Sequence, residues 1–151
     1  MPSVSITYNP SVGPLIQVAI WAPNYRPAQP PSSASPLQVN MYAAPVDTGA
    51  SCTCISQKVI QDVGLSPIGK QQVGHAQGIS ATNSYQFQVV FAFPQSQGPS
   101  GAMQAALMAH LVMGLEFVPQ PGSTFDVLLG RDIICKGIFS MSFDGHAILS
   151  F

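Results

Sequence analysis

One hexapeptide in the chain joins a carboxylate to the backbone freedom needed to present it: Val46-Asp47-Thr48-Gly49-Ala50-Ser51. It follows an apolar, β-prone run and occurs once in 151 residues. A carboxylate can take a proton from water as a general base, and a protonated one can return it as an acid. Doing both at one reacting centre takes two carboxyl groups sharing a proton. Asp-Thr-Gly also suits a plain turn, because an aspartate side chain bonds nearby main chain and glycine reaches positive φ. Taken alone, the tripeptide divides evenly between the two.

The other reactive side chains form no such set. Three cysteines, Cys52, Cys54 and Cys135, are an odd number, which argues against a disulfide framework. Cys52-Thr53-Cys54 cannot easily bridge to itself, and no second Cys/His pair stands at zinc-like spacing. All three are expected as reduced thiols, with no metal. His75, His110 and His146 are scattered, and no His–Asn/Asp set activates Cys52 as a nucleophile.

At 15.9 kDa the chain suits one domain with a sizeable core. Hydrophobic residues make up 46%, but charged residues only 7%, against roughly 25% in average proteins. A surface so poor in charge is expected to be partly covered by another subunit. The net charge of −1 gives no electrostatic case for nucleic acid or an anionic membrane. No basic segment precedes an apolar h-region, and no apolar run nears the ~20 residues of a membrane span. A soluble, cytoplasmic chain is expected.

The elements that must position Asp47 follow from pattern. Residues 4–8 and Leu15–Trp21 look like strands joined by a turn at 9–14. Five prolines, Pro23, Pro27, Pro30, Pro31 and Pro36, make 23–36 a connector barred from a central sheet. Residues 37–42 alternate as a half-buried strand and lead into the Asp47 loop. Residues 56–63 look like a short helix that Ser56 caps and Gly64 stops. A hairpin with a Gly-rich tip spans 71–93, and 95–101 is a loop. Over 102–117, helix propensity and a stripe of Met103, Ala106, Leu107, His110, Leu111 and Gly114 favour a helix, while Leu107, Leu111, Met113 and Leu115 also fit a strand. A strand at 125–129, a helical turn at 132–136 stopped by Gly137, and a hairpin about Asp144-Gly145 complete the chain. The sum is mostly β with one or two short helices, nearer a barrel than an α/β layer.

Three segments in order resemble the retropepsin-like aspartic proteases, the family of retroviral proteases and their cellular and bacterial relatives. They are Val46–Ser51, the run Val127-Leu128-Leu129-Gly130-Arg131-Asp132, and between them Gly74-His75-Ala76-Gln77-Gly78-Ile79-Ser80, which is similar to a flap hairpin. The proline-rich connector and the closing Ser142–Phe151 run resemble prokaryotic single-domain members. The resemblance covers about residues 37–151, taken as the protease domain behind N-terminal strands and connector at 1–36, the whole one compact unit. It implies an acid-protease barrel active as a two-fold homodimer, and it makes 102–117 at least partly strand.

On this resemblance Asp47 of two protomers would hold the attacking water, with no cofactor. Thr48 would reach across the axis to the partner loop, and Gly49 would let the loop turn tightly. Ala50 and Ser51 would line the substrate cleft; the lack of a hydroxyl at Ala50 implies activity at mild rather than strongly acid pH. Gln77, Gly78 and Ile79 would form the flap tip closing over an extended peptide bound by strand addition. Leu128, Leu129, Gly130, Arg131 and Asp132 would support the loop from below. Ser51 stands where retroviral enzymes carry the acid that pairs with the arginine, so Arg131 is left to a backbone carbonyl or Asp132. The alternative, from a different class, is a catalytically silent dimer of this fold serving binding or assembly.

Overall fold

Period-two alternation from Tyr85 to Phe93 makes the central strand, β6 (Gly78–Pro94), whose Tyr85, Phe87, Val89, Phe91 and Phe93 all turn into the core. The structure is a computed structural model that describes residues 1–27, 40–75, 78–94 and 105–151. Outside these residues lie most of the proline-rich connector, the first part of the strand expected at 37–42, the flap-tip residue Gln77, the 95–101 loop and residues 102–104.

The remaining elements, in chain order, are β1 (Ser3–Thr7), β2 (Leu15–Trp21), β3 (Met41–Pro45), β4 (Cys54–Ser56), α1 (Gln57–Val63), β5 (Gly69–His75), β7 (Ala105–Phe117), β8 (Val127–Leu128), α2 (Arg131–Ile134), β9 (Ile138–Met141) and β10 (His146–Ser150). The larger sheet runs β3-β2-β6-β7-β4-β8, and β5 pairs with β6 off this path. A parallel bridge between Val46 and Leu129 joins the ends of β3 and β8, so the sheet nearly closes into a barrel. The smaller sheet, β1-β10-β9, packs Ile6, Ala147 and Leu149 onto the same core. The turn at 9–14 therefore does not fold its flanking strands together. β1 pairs with β10, whereas β2 pairs with β3 and β6.

Residues 105–117 form a strand despite their helix-favouring composition. β7 pairs with β6 residue by residue, from Ser84↔Leu115 to Pro94↔Ala105. Propensity differs among these residues by a few tenths of a kcal/mol each, whereas burying one large apolar side chain contributes about 1.5–3 kcal/mol. Pairing with β6 buries Val112 and Leu115 and sets Met108 against the core.

Helix α1 follows its local signals. Ser56 Oγ accepts from Val59 N at 3.4 Å, and Gly64 ends the helix in the left-handed region at φ 72°. Three expectations need correction. The strand expected at 125–129 shrinks to Val127–Leu128, because Asp126 is drawn aside by Ser56 N and Oγ, and Leu129 bonds back to β3. The late helix is Arg131–Ile134, which starts one residue and ends two residues earlier than expected, and its C-cap is Cys135 in the right-handed region. Gly137 is no left-handed stop. A Cβ there would overlap the carbonyl oxygen of Ser150, so the glycine is needed for close approach of β10.

Candidate active site

Asp47 stands where the nearly closed sheet is sewn shut. Leu129 N donates to Pro45 O at 3.0 Å, and Asp47 N donates to Leu129 O at 2.9 Å. The chain then turns back on its own aspartate. Gly49 N and Ala50 N donate to Asp47 Oδ1 at 2.8 and 3.2 Å. These two amides orient the half-buried carboxylate, leaving its second oxygen without a bond among the described residues. At Gly49 a Cβ would stand 3.1 Å from Asp47 Oδ1 and crowd the carboxylate. Thr48 and Ser51 are exposed, and Thr48 makes no side-chain hydrogen bond among the described residues.

The support beneath the loop comes from Leu128–Asp132. Leu129 is fully buried, Leu128 half-buried, and Arg131 N donates to Ala50 O at 3.0 Å. Gly130 lies against the main chain of Cys52, where any Cβ would overlap the backbone. Its N–H donates at 3.2 Å to Thr53 Oγ1, which in turn donates at 2.8 Å to Asp132 Oδ1. Thr53 is fully buried, so one hydroxyl joins the strand after the Asp47 loop to the start of α2. Asp132 therefore serves Thr53 and is not the partner of Arg131, whose exposed guanidinium has no hydrogen bond or ion pair among the described residues. Sequence reasoning missed Thr53. Its only sign was a hydroxyl residue between two cysteines, just ahead of β4, too common a pattern to single out.

Cys52 and Cys54 flank Thr53, and neither is activated. Burial, then the nearby Asp132 charge, pushes the Cys52 thiol up. Burial, then the Cys52 sulfur, raises Cys54 to about 12. Both stay protonated near neutral pH, which argues against a thiolate nucleophile. Among the described residues no three His, Cys, Asp or Glu side chains are arranged to hold a metal ion, and no helix is long and apolar enough to cross a membrane.

The β5–β6 hairpin, the expected flap, pairs from Gly69↔Ser84 to His75↔Gly78. Gly78 is exposed and Ile79 is 74% exposed. Between the hairpin and the sheet lies an open cavity of about 690 Å³, lined by Val73, Ser80 and Thr82 from the hairpin and by Cys54, Leu115 and Phe117 from the sheet. The hairpin and the strand that follows the Asp47 loop thus face one cleft.

No family model matches the chain, and no curated protein matches it in sequence. Among solved structures it is similar to a retropepsin-like aspartic protease from Rickettsia conorii. The TM-score is 0.55 at 15% identity, over 97% of this chain and 89% of that chain. At that identity the likeness establishes the fold: a mostly-β, nearly closed retropepsin-like barrel with two short helices.

Proposed function

We propose that the chain is an aspartic endopeptidase that works as a homodimer. The observation that carries this reading is the state of Asp47: one carboxylate oxygen is held by two main-chain amides and the other has no bond among the described residues. A lone carboxylate so placed cannot act as base and acid together, so its counterpart is Asp47 of a second copy. One aspartate of the pair takes a proton from water, the water attacks the peptide carbonyl, and the proton shared by the dyad stabilises the tetrahedral diol. As the diol collapses, the leaving nitrogen is protonated.

Thr48 suits a bond across the two-fold axis, since it is exposed and has no partner among the described residues. The cavity between hairpin and sheet suits an extended peptide that adds as a strand; Ala50, Ser51, Gly78 and Ile79 do not line it and would meet the peptide beyond its edge.

The test is cleavage of an unbiased peptide library across pH ~4–7, which spans the protonation states acid–base catalysis by carboxyl groups needs, by wild type and Asp47→Asn in parallel. Cleavage by wild type alone supports the mechanism. Cleavage that persists in Asp47→Asn would falsify it, and none in either, at a concentration where the chain is dimeric, points to a silent binding module.

A further inference from the structure

The root of the β5–β6 hairpin is tied to the rest of the sheet at one residue. β6 changes neighbours at Ser84, which pairs with Gly69 of β5 on one side and with Leu115 of β7 on the other. Beyond Ser84, toward Gly78, β6 is paired with β5 alone. At that handover three side chains of β6 converge on Glu116, the penultimate residue of β7. Thr82 Oγ1 donates to its carbonyl oxygen at 2.9 Å, and Asn83 Nδ2 and Tyr85 Oη donate to its Oε2 at 3.0 and 3.3 Å. Thr82 and Asn83 belong to the hairpin side and Tyr85 to the core side, where it is 5% exposed. Tyr85 stays protonated and able to donate, since burial and then the Glu116 charge raise its pKa.

We infer that Glu116 is a positioning residue that latches the hairpin at its root and so sets how the hairpin stands over the cavity that both of them line. Two of its bonds are charge-assisted, the stronger kind, and a hinge is a few element-terminal residues that absorb a change in backbone angle. With the latch made, Thr82 and Asn83 are fixed to the barrel and bending must occur nearer the tip. With it broken, the hairpin pivots from Ser84. The wall of the cavity formed by Val73, Ser80 and Thr82 moves with it. The functional half of this inference rests on the hairpin acting as a flap in the proposed protease; the mechanical half does not.

The experiment is amide hydrogen exchange on the full chain, comparing wild type, Glu116→Ala, Glu116→Gln and Asn83→Ala. Exchange at residues 69–75 and 78–82 is expected to speed up about 10- to 100-fold in Glu116→Ala, the equivalent of losing charge-assisted bonds. Asn83→Ala should lose part of that protection, and Glu116→Gln, whose amide oxygen still accepts, should fall between wild type and Glu116→Ala. Amides of residues 87–91 should hold their wild-type rates. Hairpin rates unchanged in all three variants, or a rise spread equally over 87–91, would overturn the latch. If Glu116→Ala does not fold, Asn83→Ala and Glu116→Gln decide. These rates need no substrate, so a chain that cleaves nothing sinks the protease reading while the latch is still decided. Where cleavage is found, Glu116→Gln should raise KM more than it lowers kcat, and an unchanged KM removes its role in positioning substrate.

Discussion

The Asp47 loop takes main-chain bonds from Leu129, from its own Gly49 and Ala50, and through Ala50 O from Arg131. The β5–β6 hairpin has its own two-stranded ladder and, at its root, the bonds to Glu116. The rigid wall beneath the Asp47 loop is thus built from buried groups with no space to give, as at Gly130 and Thr53, and the hairpin wall from exposed residues such as Gly74, Ile79 and Ala81. A site that must hold a carboxylate within a fraction of an ångström and still admit a chain-like substrate benefits from this division. Preorganisation needs rigid support, and entry and release need an element of low local stability.

The largest effect should fall on the rigid wall and touch chemistry alone. Asp47→Asn should reduce peptide cleavage to background with Tm nearly unchanged, because the amide oxygen can still accept from Gly49 and Ala50. A large fall in Tm would make the carboxylate a structural element and weaken the contrast. Next, Gly130→Ala should destabilise the fold by about 2–4 kcal/mol in urea titration, since its Cβ meets backbone that cannot move aside cheaply. Thr53→Val keeps the volume but strands Gly130 N–H and the Asp132 carboxylate, a loss of about 2 kcal/mol that Thr53→Ser should mostly restore. On the hairpin wall, Ile79→Ser should change stability by no more than about 0.5 kcal/mol, as for other exposed sites, while raising KM for peptide cleavage. A stability loss there as large as at Thr53 would break the comparison.

A smaller, pH-dependent effect lies away from the cleft. His110 sits on β7 against Phe91 and Phe151, and its buried Nε2 has no hydrogen-bond partner among the described residues. Burial, and secondarily the charge of Lys136, lowers its pKa below the usual 6.5. The unfolded chain therefore binds that proton more readily than the folded one. This contribution to stability is fully present above pH 6.5 and is lost as pH falls through the lower folded value. Tm measured between pH 7.5 and 5 should decline, and His110→Phe should flatten the decline.

Signals carried within a few residues were legible in the sequence alone. Ser56 and Gly64 bounded α1 because a cap hydroxyl and a left-handed glycine act on the turn they belong to. The Asp47 loop and Leu128–Asp132 were legible as a pair because their residue types are so constrained, and the mostly-β class followed from alternation. Tertiary structure decided what depends on partners far along the chain. Residues 105–117 carry helix-forming side chains, and only the eleven facing positions on β6, with β4 at the far end, made them a strand. Thr53 gained a role when Asp132, 79 residues away, came within hydrogen-bond reach, and Glu116 did so when the end of β7 came beside the middle of β6. Gly137 shows the limit most simply: its place after a helix marked it as a stop, but the close approach of Ser150 is what requires it. Local propensity is worth tenths of a kcal/mol per residue, and burial and pairing are worth more, so the longer-range terms settled each point on which the two disagreed.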